Sequence, residues 1–225
     1  MASIVERHEA VRRSIADAAD CVGRSADDVL VVAVTKHVGV PEIREAIACG
    51  IKDLGENRVQ EFLSKYGLFP DAQWHFIGTL QTNKVKDIVG RAHLIHSVDS
   101  LKLLRKIDAK AAEAGVVQRV LLQVNVSGEE VKHGFEPTEV HDALDETTHL
   151  ENVEVRGLMT MAPFGRAEDA RWVFRELRGL AQSLGAMRPD GVELLELSMG
   201  MSNDYRVAVE EGATIVRVGR AIFGK

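Results

Sequence analysis

Candidate β-strands alternate with amphipathic helical segments along the whole chain, and this alternation constrains the fold more than any other feature. The candidate strands occupy 29–35, 52–55, 74–78, 93–97, 119–126, 154–159, 193–198 and 214–219. The clearest helical patterns between them lie at about 57–66, 80–89, 137–147, 167–184 and 202–211. Eight strands that each precede a helical segment predict an α/β fold, a single (β/α)8 TIM barrel domain over 1–225 with an extra N-terminal helix.

An open, doubly wound parallel sheet is the competing architecture, because it also alternates strands and helices. Its usual G-x-G-x-x-G loop after the first strand is missing from this sequence. The barrel is therefore favoured. Closure of a barrel would make the first and last strands neighbours, so Lys36 and Gly219 would share one end of the fold.

Two helices show their ends in the sequence. Pro41 suits the first position of one helix, and Gly50 stops it. Asp99 or Ser100 can cap a second helix, which Gly115 ends. These signals support the alternation from which the barrel is predicted.

Composition excludes several classes of protein. The formal net charge is −6 with no basic cluster, which disfavours a nucleic-acid partner. The N-terminal segment is an amphipathic helix rather than a signal peptide, and no apolar stretch is long enough to span a membrane. Cys21 and Cys49 are too few for a disulfide framework, so we expect both to be thiols in the core. We also expect the protein to be cytoplasmic.

One lysine follows a continuous apolar segment, in the sequence DDVLVVAVTKHVGVPEI at 27–43. The apolar residues predict a buried strand, and Lys36 stands just past its end. A lysine in this position is often only the point where a strand meets water. The alternative is a functional amine, because barrel active sites lie at the C-terminal ends of the strands.

A glycine- and serine-containing loop follows the seventh candidate strand. Gly200 ends that strand, and Ser202 is placed to cap the next helix, whose N-terminus would attract an anion. Phosphate sites in barrels often lie in the loops after strands seven and eight. An ordinary helix cap uses the same residue types and remains the alternative.

The last candidate strand contains a charged residue in a buried setting. Alternation places Ile215, Arg217 and Gly219 on the face that points into the barrel. An unpaired buried guanidinium is costly, so Arg217 needs an acceptor. The two candidates are the carboxylate of Glu196 and an atom of a bound ligand.

Several histidines stand near strand ends: His37, His75, His93, His96 and His133. Their spacing matches no metal-binding motif, and histidines at strand ends often form structural hydrogen bonds. We expect no metal site.

Five motifs, VAVTKHV, GENRVQE, WHFIGTLQTNK, LSMGMSND and VRVGRAIFG, resemble the pyridoxal phosphate homeostasis proteins (the YggS/PROSC family) in order and spacing. The resemblance covers nearly the whole chain. It implies a barrel similar to the N-terminal domain of alanine racemase, with pyridoxal 5′-phosphate (PLP) held as an imine on Lys36. It also implies a contact from Arg217 to the pyridine nitrogen and a role beside the cofactor for Asn57. The implied phosphate contacts are Ser198, Met201, Ser202, Gly219 and the position of Arg220.

One residue departs from the family pattern, because Thr or Ser is common at the position of Arg220. The longer cationic side chain can reach a phosphate or turn outward.

We also expect the apolar strand behind Lys36 to desolvate its amine and so disfavour the charged form, which cannot attack an aldehyde.

The resemblance favours a PLP carrier over a catalyst. An arginine at the pyridine nitrogen would keep that nitrogen unprotonated and weaken the ring as an electron sink. Alanine racemase tolerates such an arginine but takes an opposing tyrosine from a second domain of its partner subunit, and a chain ending at Lys225 is expected to leave no room for that domain. Tyr66 and Tyr205 are not obvious replacements.

Two other functions stay open at this point. One is a PLP-dependent amino-acid racemase, and the other is a barrel aldolase that uses Lys36 on a sugar phosphate. If the carrier interpretation holds, the partners are PLP and PLP-dependent apoenzymes. We take a monomer as the expectation, although the sequence does not establish whether the chain dimerises.

Overall fold

Eight parallel strands form a closed barrel in chain order, in a computed structural model that describes residues 2–129, 133–187 and 194–224. The strands are β1 (Leu30–Val34), β2 (Asp53–Glu56), β3 (Gln73–Phe76), β4 (Leu94–Val98), β5 (Gln118–Gln123), β6 (Val153–Met159), β7 (Glu196–Met201) and β8 (Ile215–Val218). Strands β1 and β8 pair from Leu30↔Ile215 to Ala33↔Val218. The predicted TIM barrel is confirmed.

Helices follow the strands and surround the barrel. They are α1 (Ile4–Asp20), α2 (Val40–Ala48), α3 (Val59–Tyr66), α4 (Val85–Ile88), α5 (Leu101–Ala114), α6 (Val140–Thr147), α7 (Arg171–Met187), α8 (Tyr205–Glu210) and α9 (Arg220–Phe223). The extra N-terminal helix α1 begins with a capping box between Ser3 and Glu6. No helix in the described ranges has the length and apolar character that a membrane crossing needs.

The core has two layers. The outer layer lies between helices and barrel, and it includes the fully buried rings of Phe62, Trp74 and Phe76. The inner layer fills the barrel with a separate apolar cluster that includes Val32 and Ile215. Burying a large apolar side chain contributes about 1.5–3 kcal/mol, so both layers stabilise the closed sheet.

The predicted helix ends are largely correct. Pro41 occupies the second position of α2, and Gly50 follows that helix with a φ of 87°. The Ser100 hydroxyl caps α5 by accepting from the backbone N–H of Leu103 at 3.3 Å. Gly115 ends the same helix in the left-handed conformation, with a φ of 66°.

Three expectations need correction. Strand β7 begins at Glu196 instead of Glu193, which lies outside the described residues, and it continues through Gly200 because Met201 still pairs with β8. Helix α8 begins at Tyr205 and not at 202, because the preceding residues form a turn. The cysteines are free but are not core thiols: Cys21 is exposed at the end of α1, and Cys49 is half-buried.

Candidate functional site

A cavity of about 310 Å³ opens at the C-terminal end of the barrel strands. This is the end at which TIM barrels carry their functional sites. Its walls come from the strand ends and from the loops that follow β2, β3, β6, β7 and β8. The lining residues are Val34, Asn57, Ile77, Met161, Ala162, Pro163, Phe164, Gly165, Met201, Ser202, Asn203, Asp204, Arg217, Gly219 and Arg220.

Six of the eight residues predicted for the site line this cavity. They are Asn57, Met201, Ser202, Arg217, Gly219 and Arg220. The remaining two do not line it: Ser198 lies in the core beside Arg217, and Lys36 lies in the turn after β1.

Arg217 forms part of the cavity wall and points into the barrel, as the alternation predicted. Its Nη1 donates to the Ser198 hydroxyl at 2.6 Å, and its Nη2 donates to the Thr160 carbonyl at 2.9 Å. Burial lowers the pKa of this guanidinium to about 10, an effect that the nearby Asp204 carboxylate opposes. Arg217 therefore remains a cation near neutral pH.

Glu196 is not the partner of Arg217. Its Oε1 lies 3.5 Å from the Nε of Arg156, at the start of β7, while Arg217 lies level with Met201 at the end of that strand. The strand length between these two levels separates the carboxylate from the guanidinium. Of the two acceptors considered for Arg217, the carboxylate is excluded. A hydroxyl and a carbonyl of the protein take that role.

Ser198 has a different position from the one its implied phosphate contact requires. The residue is fully buried, and its hydroxyl lies 2.8 Å from Nδ1 of His96 as well as 2.6 Å from Arg217. Both contacts are inside the barrel because Ser198 points to the inner face of β7. The hydroxyl supports Arg217 rather than facing the cavity.

The loops after β7 and β8 are joined to each other at the cavity. The Ser202 hydroxyl accepts from the backbone N–H of Ala221 at 3.4 Å, and Arg220 donates to Oδ1 of Asn203 at 2.6 Å. Arg220 thus turns along the rim, with further N–H groups on its guanidinium. Gly219 passes close to β1, since a Cβ there would lie 3.2 Å from the Cβ of Val34.

The expected helix cap at Ser202 is wrong. The N-cap of α8 is Asp204, and its side chain folds back so that Oδ1 accepts from the backbone N–H of Met201 at 2.6 Å. Burial raises the pKa of the Asp204 carboxyl, an effect that this hydrogen bond and the charge of Arg217 oppose. Asp204 therefore holds the turn between β7 and α8.

Lys36 stands in a tight turn and is exposed. The turn is closed by a hydrogen bond from the backbone N–H of Val38 to the carbonyl of Thr35 at 2.9 Å. His37, next to Lys36, has a φ of 61°, a left-handed conformation that is uncommon for residues other than glycine. The expected desolvation of Lys36 by β1 is therefore wrong for this structure, since the strand ends at Val34 and the chain turns outward.

A buried ion pair supports both the Lys36 turn and Asn57. The Nζ of Lys65 lies 2.5 Å from Oε1 of Glu56 and donates to the carbonyl of Thr35 at 2.8 Å. The Thr35 hydroxyl donates to the same carboxylate oxygen at 2.6 Å. The backbone N–H of Asn57 donates to the other oxygen, Oε2 of Glu56, at 3.2 Å. The network fixes the backbone on either side of Lys36 and Asn57.

The Asn57 side chain gives a direct test of whether this cavity suits a polar ligand. Its Oδ1 is buried and has no hydrogen-bond partner among the described residues. Orphaned buried acceptors are rare in native proteins, because each costs free energy comparable to a lost hydrogen bond. An acceptor of this kind in the cavity wall fits a bound molecule that donates to it.

Sequence reasoning missed four contributors to the site. Asp204 stood within a predicted helix, and Thr160 acts through its backbone carbonyl, which no side-chain pattern reveals. The loop 161–165 after β6 contains proline and glycine, a signal that could have identified it as a wall of the cavity. His96 was interpreted as a structural strand-end residue. It proves to contact Ser198 at the floor of the site.

No group of three or more His, Cys, Asp or Glu side chains in the described part of the chain is arranged to hold a metal ion.

The sequence of this chain is similar to those of known proteins. Residues 8–225 match the family described as alanine racemase, N-terminal domain. A pyridoxal phosphate homeostasis protein of Aquifex aeolicus is 47% identical over 223 residues, which cover 98% of this chain and 97% of that protein. The chain belongs to the pyridoxal phosphate homeostasis protein family. The resemblance of the five motifs is confirmed.

Two solved structures share this fold. PipY of Synechococcus elongatus PCC7942, solved with PLP bound, is 36% identical with a TM-score of 0.86, and the match covers 99% of this chain and 100% of PipY. Alanine racemase of Corynebacterium glutamicum is 16% identical with a TM-score of 0.68, covering 96% of this chain and 60% of the racemase. The second likeness shows a common fold alone.

Proposed function

We propose that this chain binds pyridoxal 5′-phosphate in the cavity at the C-terminal end of the barrel, holds it covalently on Lys36 and serves vitamin B6 homeostasis. The observation that carries the proposal is the convergence of six predicted cofactor residues on one cavity. Membership of the pyridoxal phosphate homeostasis family supports it, as does the likeness to PipY with PLP bound.

The chemical groups around the cavity suit the parts of this cofactor. Arg220 and the Ser202 hydroxyl provide a cation and a hydrogen-bonding group at the two loops that commonly hold phosphate in barrels. Arg217 would present its guanidinium, which only donates, to the pyridine nitrogen. The orphaned Oδ1 of Asn57 would accept from a donor on the cofactor. When bound, PLP supplies an aldehyde that reacts with amines and a ring that withdraws electrons.

Lys36 supplies the amine. Its exposed side chain lies in a turn that directly follows Val34, a residue of the cavity wall, and this position supports its approach to a ligand from the mouth. The buried Lys65–Glu56 pair anchors the carbonyl of Thr35 immediately before it. The backbone is thus held while the long side chain remains free to reach the aldehyde carbon.

We also propose that the chain does not turn over amino acids. Racemisation needs a proton-accepting group on each face of the substrate carbon. The titratable side chains among the described lining residues are Asp204, Arg217 and Arg220. Arginine does not act as a base, and Oδ1 of Asp204 accepts from the N–H of Met201, which holds this carboxylate in the turn between β7 and α8. We infer that Lys36 is the one base placed to reach the substrate carbon.

The domain organisation, location and partners form the remainder of the proposal. The closed barrel supports a single domain over 1–225. A carrier in the cytoplasm, acting as a monomer, would pass PLP to apoenzymes. Light scattering of the purified protein measures its mass, and transfer of PLP from the loaded protein to an apoenzyme measures delivery.

Covalent labelling tests the cofactor and its attachment together. Protein incubated with PLP is expected to gain visible absorbance, which borohydride bleaches, and peptide mass spectrometry is expected to locate the pyridoxyl group on Lys36. Lys36→Ala should remove the absorbance, whereas Lys52→Ala, which changes an exposed lysine before β2, should retain it. Failure of the unmutated protein to bind PLP, or labelling at another lysine instead of Lys36, would contradict the proposal.

A further inference from the structure

A continuous chain of hydrogen-bond contacts runs through the barrel interior to the floor of the cavity. Oδ1 of Asp53 lies 3.0 Å from Nε2 of His75, and Nδ1 of His75 lies 2.9 Å from Nε2 of His96. Nδ1 of His96 lies 2.8 Å from the Ser198 hydroxyl, which accepts from Arg217 at 2.6 Å. Five residues on β2, β3, β4, β7 and β8 thus form one path from Asp53 to Arg217.

The two ends of this hydrogen-bond chain determine the direction in which its members donate. The guanidinium of Arg217 only donates, and the carboxylate of Asp53 only accepts. The Ser198 hydroxyl accepts from Arg217 and has one hydrogen left to donate, which goes to Nδ1 of His96. His96 then donates from Nε2 to His75, and His75 donates from Nε2 to Asp53. All four contacts are satisfied with both imidazoles neutral and both protonated on Nε2.

The opposite direction is unfavourable. If His96 carried its proton on Nδ1, its Nε2 would need a donor from Nδ1 of His75, and His75 would then need a second proton to reach Asp53. The Ser198 hydrogen would also lose its acceptor. A doubly protonated His96 is disfavoured because burial, together with the neighbouring His75 and Arg217, holds the pKa of His96 well below its usual range.

Burial makes the direction of this hydrogen-bond chain important for stability. His75 is 1% exposed, and His96 and Ser198 are fully buried, so water does not replace a contact that is lost. A buried polar group without a partner is costly, and hydrogen bonds in such an interior strengthen one another along a chain.

We propose that His96 and His75 are positioning residues for Arg217: they connect Ser198 to the Asp53 carboxylate in a hydrogen-bond chain of fixed direction. Ser198 is thereby kept as an acceptor for Nη1, and the guanidinium keeps the orientation that presents its other donors to the cavity. The consequence of this positioning, tighter PLP binding, rests on the proposed function. The direction of the hydrogen-bond chain is a property of the protein without cofactor.

The direction is tested first, on cofactor-free protein. Long-range proton–nitrogen NMR correlations of 15N-histidine-labelled protein report which imidazole nitrogen carries the proton. We expect the Nε2–H form for both His75 and His96. Asp53→Asn replaces a carboxylate that only accepts with an amide that can also donate, and it should shift the tautomers towards Nδ1–H, by analogy with the wrong tautomer that the aspartate-to-asparagine change produces in the serine protease triad. Asp71→Asn, at an exposed carboxylate just before β3, should not. A proton on Nδ1 of His75 or His96 in the unmutated protein would overturn the inference.

The consequence is tested by PLP affinity. His96→Leu should weaken PLP binding roughly five- to tenfold, the effect of about one hydrogen bond. His96→Asn, which offers Ser198 an amide acceptor, should recover most of this loss. If His96 acts through Ser198, adding His96→Leu to Ser198→Ala should cause no further loss. Fully additive losses would overturn the positioning role.

The two kinds of failure are distinguishable. If unmutated protein fails to bind PLP, the proposed function is wrong, and the tautomers measured without cofactor still decide the direction of the chain. If PLP binds but the tautomers differ from those expected, the positioning role is wrong and the proposed function stands. Thermal unfolding of each variant identifies any loss of affinity that comes from misfolding.

Discussion

Val32 on β1 lies in register with Arg217 on β8, so the strand that leads to Lys36 is paired with the strand that carries the buried guanidinium. Their side chains lie on the inner face of the barrel, where Val32 belongs to the apolar filling and Arg217 reaches the cavity. Closure of the barrel therefore brings Lys36 and Arg217, from opposite ends of the sequence, to one end of the fold.

Replacement of Arg217 should damage both stability and binding. Arg217→Met leaves the Thr160 carbonyl without its donor, which costs about 1–3 kcal/mol for a buried group. Arg217→Lys keeps a charge but lacks the planar fork that reaches Ser198 and Thr160 together, so it should recover only part of the loss. Urea unfolding and PLP titration measure the two effects. Arg166→Met, at an exposed arginine, is the control and should leave both unchanged. Normal PLP affinity in Arg217→Met would contradict the role of Arg217 at the site.

The Ser202 hydroxyl should contribute specifically to phosphate binding. We expect Ser202→Ala to weaken PLP binding roughly fivefold, the effect of one hydrogen bond of about 1 kcal/mol, while the absorbance of the bound cofactor changes little. Binding of unphosphorylated pyridoxal should be unaffected, and Ser64→Ala, at an exposed serine on α3, should change neither affinity. Equal affinities of the unmutated protein for PLP and pyridoxal would exclude a phosphate site here.

The buried ion pair behind the Lys36 turn should be costly to break. Lys65→Met leaves the Glu56 carboxylate buried without its cation and should lower the free energy of unfolding by about 3–5 kcal/mol. Adding Glu56→Gln removes the stranded charge, so the double variant should be more stable than Lys65→Met. Urea denaturation measures both. Lys110→Met, which breaks a surface pair with Glu113, should have little effect. A double variant less stable than Lys65→Met would refute this account.

His96 should make stability depend on pH in one direction. Because burial depresses its folded pKa, the unfolded chain binds the proton more readily, and the stability due to neutral His96 is present above about pH 6.5. This stability is lost as pH falls from there towards the folded pKa, by no more than about 1.4 kcal/mol for each pH unit. Urea denaturation at a series of pH values should therefore show a shallower loss in His96→Asn. Equal slopes in the two proteins would contradict the burial argument.

Amino-acid turnover should be absent from PLP-loaded protein. With L-amino acids in deuterated water, exchange at the α-carbon should stay close to the rate of free PLP, because Lys36 would be the single base available at the site. NMR follows the loss of the α-proton signal, and chiral chromatography follows racemisation. Rapid exchange with racemisation that Lys36→Ala abolishes would identify an enzyme instead of a carrier.

The sequence by itself determined the architecture and identified six of the residues that line the cavity. Strand and helix periodicities are local properties of the chain, so the alternating pattern predicted the barrel, and the period of two placed Arg217 on the inner face. The motifs identified six residues that the structure brings to one cavity. The fold and the facing of Arg217 needed only the order of residues along each element, whereas the six cavity residues came from the resemblance of the motifs to a known family.

The tertiary structure alone decided which polar groups meet. Ser198 was expected at a phosphate, but β4 and β8 place His96 and Arg217 on either side of its hydroxyl. The Lys36 amine was expected to be desolvated by the strand behind it, but the turn after β1 directs it to solvent. Hydrogen-bond partners come from strands that are distant in sequence, and their pairing depends on the register and closure of the barrel, which no local pattern specifies.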